Sequence, residues 1–112
     1  VSNYAMAVCA SSRSEIIIKG GEFANQAPAG SALSLIYAED NAKITIEGGT
    51  FKCVNPAWTL NCNDNDAATI TVKGGSFYQF DPSNVTVGEG EIFIADGYHV
   101  VQNGDWYTVV KN

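Results

Sequence analysis

Positive charge is scarce in this chain. Six Lys and Arg stand against twelve Asp and Glu, a net charge of −6 at pH 7. A nucleic-acid partner needs clustered basic residues, so that class is excluded as an expectation. Docking on anionic lipid is excluded for the same reason. Long apolar runs are missing too. Nothing approaches membrane-spanning length and no signal peptide is visible, so membrane insertion is not expected. The first residue is Val1 rather than Met, which reads as a processed or excised piece of something longer. Histidine is reduced to His99, and the three cysteines, Cys9, Cys53 and Cys62, include no CxxC pair. A zinc site is therefore not expected, nor any other cofactor. Thiols buried as small apolar residues are the simplest reading, with a Cys53–Cys62 bridge around Pro56 as the alternative. A helical period of 3.6 is absent throughout.

What the chain has instead is a repeat. IIIKGGEF at 16–23, ITIEGGTF at 44–51 and ITVKGGSF at 70–77 share an apolar strand, a double glycine and a phenylalanine. The glycine pairs begin at 20, 48 and 74, so the steps are 48 − 20 = 28 and 74 − 48 = 26 residues. A period of that size marks a stacked repeat architecture, and with 112 residues the chain holds about three to four such units. Before each Gly-Gly the pattern alternates apolar and polar with β-branched residues, as in Ile44-Thr45-Ile46, which predicts half-buried strands. A second strand is expected ahead of each, at Met6–Cys9, Leu33–Tyr37 and Trp58–Cys62. Between the two strands lie SSRS (11–14), EDN (39–41) and NDND (63–66), suited to corners because Asn and Asp tolerate left-handed backbone.

Glycine pairs suit a second, sharper corner. They supply positive φ and let backbones of adjacent repeats approach at ~4.8 Å. Phe23, Phe51 and Phe77 then return inward and should form an aromatic column. Aligning the glycines places Lys19, Glu47 and Lys73 in one outward column and Glu15 above Lys43. Such sign alternation is what parallel, in-register stacking favours. The reading is an all-β fold: a short right-handed parallel β-helix with a C-terminal β-hairpin cap. Repeats are expected at about 4–30, 31–56 and 57–80, and a capping segment at 81–112. DPSN (81–84) predicts a turn. Asn103-Gly104 predicts a hairpin of Tyr98–Gln102 and Trp106–Val110, with Trp106 and Tyr107 serving as a lid or a contact with another chain.

Candidate chemistry is sparse. Asp64 and Asp66, with Glu39 and Asp40 one repeat earlier, could gather oxygen ligands for Ca²⁺, but the nonapeptide calcium repeat is absent and solvated corner residues are the default. The same acids could meet the spacing of a glycosidase pair, yet exposed corners seldom raise a carboxyl pKa. His99 lacks a nucleophile-elbow partner, and catalytic residues are expected to be none. Tyr37, Trp58, Tyr78, Phe80, Trp106 and Tyr107 could form a sugar-binding face. Of these Tyr37, Tyr78, Trp106 and Tyr107 are the candidates retained, Trp58 reading as core.

The GG-Thr/Ser-Phe units resemble the coils of parallel β-helix surface proteins of gut bacteria and of their tailed phages. TLNCNDNDAATITVKGGSFYQFDPSN followed by FIADGYHVVQNGDWYTVV is similar to the closing segment of such proteins in crAss-like and related Bacteroidales phages, across roughly residues 58–110. The resemblance implies a non-catalytic structural or adhesion module on a virion surface, as a capsid decoration, head fibre or tail appendage. Its expected partners are other virion proteins or further copies of itself, as a trimer for instance, and a host-surface glycan. A bacterial cell-surface adhesin and a tailspike glycan hydrolase are the alternatives.

Overall fold

The computed structural model describes residues 7–24, 34–54, 56–62, 67–84 and 92–112. The described chain is all-β, with one single-turn 3-10 helix at Pro56–Trp58. Nine short strands come in three sets of three: β1 (Val8–Ala10), β2 (Glu15–Ile18) and β3 (Glu22–Ala24); β4 (Ile36–Ala38), β5 (Lys43–Ile46) and β6 (Thr50–Lys52); β7 (Leu60–Cys62), β8 (Thr69–Val72) and β9 (Ser76–Tyr78). Each strand of the first two sets pairs in parallel with the strand three places later, which aligns β1-β4-β7, β2-β5-β8 and β3-β6-β9. β10 (Tyr98–Asn103) and β11 (Trp106–Lys111) form an antiparallel hairpin, and β11 extends the third sheet beyond β9.

Like residues stack on like. Ile16, Ile44 and Ile70 are in register, as are Ile18, Ile46 and Val72, and all of them except the half-buried Ile16 are buried. Phe23, Phe51 and Phe77 form the expected column, with ring centroids 5.0 and 4.8 Å apart and planes within 6° and 11°. The column then bends through Phe80 to Phe93, so the chain after the third repeat adds a ring to the same core. Ile17, the apolar residue at an outward position, is half exposed as the alternation requires.

The two glycines of each pair have separate tasks. The second, Gly21, Gly49 or Gly75, has φ of 107°, 112° or 96°, a conformation reserved for glycine. The first has no positive φ but, in the second and third repeats, sits against the preceding repeat. A Cβ on Gly48 would lie 2.5 Å from the Lys19 carbonyl oxygen, and one on Gly74 would crowd the Glu47 oxygen more closely still. The polar corners turn with side-chain-bearing residues. Ser12 and Arg13, then Asp40 and Asn41, have successive positive φ values of 56°, 61°, 54° and 62°. Each corner closes with a backbone bond, Ser14 N–H to Ser11 O at 3.1 Å and Ala42 N–H to Glu39 O at 3.1 Å, the pattern of a type I′ turn. Asn41 also accepts the Ala67 N–H of the next repeat through its side-chain oxygen at 2.8 Å.

The predicted charge columns are in place. Glu15 faces Lys43 in register, and Lys19, Glu47 and Lys73 directly follow aligned strand ends. All five are exposed, so each opposite-charge neighbour contributes only about 0.2–1 kcal/mol.

Three expectations need correction. The first strands begin later than expected, at Val8, Ile36 and Leu60. Trp58 does not start a strand: Pro56 opens a tight turn there, closed by Thr59 N–H to Pro56 O at 3.1 Å, with the Thr59 hydroxyl donating to the same oxygen at 2.7 Å. The Met6 and Leu33 ends lie outside the described residues. Cys53 and Cys62 are buried thiols with no bridge between them, whereas Cys9 is exposed. Alternation is the reason: Val8 and Ala10 turn inward, so Cys9 turns out.

The turn at 81–84 and the hairpin form where expected. Asp81 accepts the Ser83 N–H and hydroxyl at 2.9 and 2.6 Å. In the hairpin, Asn103 pairs with Trp106, so Gly104 and Asp105 occupy the turn, with Gly104 taking φ of 63° at its first central position. Phe93–Ala95 also lies along β8, with a parallel bridge between Val72 and Ile94.

Candidate functional site

Phe77 is buried between Ser76 and Tyr78, so those two point away from the core. The register carries that outward direction across the third sheet. One outward row runs Ala24, Lys52, Tyr78, Trp106, Asn103; the neighbouring row runs Glu22, Thr50, Ser76, Thr108, Val101. In the first row, the Lys52 ammonium lies 4.5 Å from the Tyr78 ring centroid, a cation–π contact. Trp106 meets Tyr78 edge-on at 5.4 Å and 65°. In the second row the Ser76 and Thr108 hydroxyls bond each other at 2.9 Å.

Beside the first row opens a cleft of about 330 Å³. Lys52, Tyr78 and Gln79 supply its polar groups; Ala24, Cys53, Val54 and Pro56 make the apolar wall. Gln79 is in the left-handed region at φ 49°, held by its N–H bond to Asp105 O at 2.6 Å. A non-glycine residue there is uncommon and persists because the surrounding structure fixes it.

Of the aromatic candidates, the structure brings Tyr78 and Trp106 together. Tyr107 pairs with Phe77 and so takes the core-facing side of the same strand. Tyr37 is on the first sheet, in a column with Cys9 and Asn61. Phe80 is not part of any sugar face, being buried between Phe77 and Phe93. Asp64 and Asp66 lie outside the described residues. Among the described residues no group of three His, Cys, Asp or Glu is placed to hold a metal ion. His99 is exposed and its Nδ1 is 2.6 Å from the Asn112 side-chain oxygen. Among the described residues no helix is long and apolar enough to cross a membrane.

Lys52 and Gln79 are functional candidates that the residue patterns did not single out. The position after each repeated Phe (Ala24, Lys52, Tyr78) would have found the first. No comparable signal marks Gln79, whose place depends on the hairpin turn.

Cys9 offers a separate test of the corner geometry. Its thiol pKa is raised, first by burial of the sulfur and then by the negative charges of Glu39 and Asp40. At pH 8 less of it is thiolate than in an unstructured peptide, so iodoacetamide should alkylate it more slowly than such a peptide. Asp40→Asn with Glu39→Gln should recover part of the rate. Equal rates for native protein and peptide would contradict the placement of Cys9.

No family model, no curated protein and no solved structure matches this chain.

Proposed function

We propose that the three parallel sheets are the faces of one short right-handed parallel β-helix, closed by the hairpin Tyr98–Lys111. Its work is non-catalytic: a rigid module displayed on a bacteriophage virion that touches host-surface glycan through the outward face of its third sheet. The observation that carries the glycan part is the outward row in which Lys52, Tyr78 and Trp106 are held together beside a cleft. Aromatic faces and fixed hydroxyls suit sugar rings, which present both C–H surface and hydroxyl groups. In-register strand stacking supports the β-helix, and the strong right-handed preference of parallel connections supports its hand. The resemblance of residues 58–110 to phage closing segments supports the virion. A core this small favours attachment to other virion proteins or assembly of copies, such as a trimer.

The test is localisation by electron microscopy of intact particles, paired with a host-capsule assay. The chain is expected on the particle surface, and capsule polysaccharide is expected to be bound without release of reducing ends. Localisation to the bacterial surface would replace the virion reading with an adhesin; released reducing ends would replace it with a hydrolase.

A further inference from the structure

We propose that the cleft beside the third sheet selects sugars bearing a carboxylate, and that Lys52 recognises the charge. The inference rests on the glycan-contact reading and specifies its ligand class.

Lys52 differs from the other lysines of the repeated strands. Lys43 faces Glu15 in register, and Lys19 and Lys73 flank Glu47. Lys52 has Ala24 as its register partner on one side and the Tyr78 ring on the other. On a chain of net charge −6, this is a cation placed beside apolar and aromatic groups at the rim of a cleft. The one carboxylate in these two outward rows, Glu22, stands in the other row against Thr50. The ring holds the ammonium in place while leaving N–H donors for an incoming anion.

The rest of the cleft suits a sugar ring. Val54 and Pro56 offer apolar surface to its C–H face, and the Gln79 amide adds a donor and an acceptor for hydroxyl groups. Glycine would occupy the Gln79 backbone conformation at less cost. A glutamine there places an amide where β9 meets the hairpin turn. Since Lys52 is exposed, each ion pair formed is weak and screened by salt, so useful affinity comes from many copies engaging one polymer.

The experiment compares uronate and sialate oligomers with their methyl esters, which keep the sugar and remove the charge. The acids should bind about two- to fivefold more tightly than the esters. Raising salt from about 0.05 to 0.5 M should erase most of that difference. Lys52→Met should weaken acid binding to the ester level without moving the unfolding midpoint, and Lys52→Arg should restore it. Equal binding of acids and esters, or acid binding unchanged in Lys52→Met, overturns charge selection. Neutral glycans bound through Tyr78 and Trp106, with no preference for acids, would also overturn it while leaving glycan contact intact. No binding across neutral and acidic panels would remove both.

Discussion

Gly74→Ala should destabilise the protein by about 3 kcal/mol, and Gly48→Ala by a similar amount. In both cases the new methyl meets a backbone carbonyl oxygen of the preceding repeat, at Glu47 and Lys19 respectively. Backbone cannot rotate away as a side-chain tip can, so relief requires the two repeats to move apart. That would stretch the bonds Lys73 N–H to Ile46 O and Glu47 N–H to Ile18 O, both 2.7 Å. Gly20 holds the same place in the motif, but a methyl added there would have nothing within 4 Å, and its φ is not positive. Gly20→Ala should therefore be neutral or stabilising by about 0.4–1 kcal/mol. Urea unfolding of the three variants measures the contrast. Three equal effects would mean that the glycines serve local turn geometry alone and that the repeats do not approach each other at this corner.

Phe51→Ala should cost about 3–5 kcal/mol, much of the 5–15 kcal/mol typical of a whole domain. Phe51 is fully buried and stacked on both sides, by Phe23 and Phe77. Truncation leaves a cavity in the middle of the column and removes two ring contacts, each contributing about 0.5–1.5 kcal/mol beyond area burial. Phe51→Leu separates the terms, since it keeps most of the apolar volume and loses only the stacks. Phe23→Ala, at the half-buried end, should cost clearly less. If Phe23→Ala and Phe51→Ala shift the thermal midpoint equally, the column is not the centre of the core.

The repeated strands and the ring column could be read from the residues because each depends on a pattern a few positions long. Ile44-Thr45-Ile46 states its own alternation, and Gly48-Gly49 states its own corner. The first strand of each repeat was less legible. Its residues lack the β-branched alternation of the second strand, and in the third repeat Pro56 and Trp58 form a turn that delays it to Leu60. The spacing also shifts within a repeat: Ile36 to Leu60 is 24 residues, while Ile44 to Ile70 is 26. The two added residues fall between Cys62 and Thr69, a stretch that contains NDND.

The candidate site was legible only in part. Lys52 and Tyr78 follow equivalent phenylalanines, so simple alignment places them side by side. Trp106 joins them only because β11 docks antiparallel on β9 with Trp106 opposite Tyr78. A slip of one residue in that register would turn Trp106 inward and Tyr107 outward, and no local pattern distinguishes the two. The hairpin turn shows the same limit. Asn103-Gly104 marks the bend, but cross-strand pairing puts Asn103 in the ladder and Asp105 in the loop.

The in-register stacking of equivalent positions makes this molecule a ruler with discrete graduations. Successive repeats meet through the same set of backbone bonds, so duplicating the 26 residues from Lys43 to Ala68 should raise its height by one strand spacing, about 4.8 Å, and present a second Lys52 above the first. Reach and the number of cationic rungs would then grow together, in whole steps.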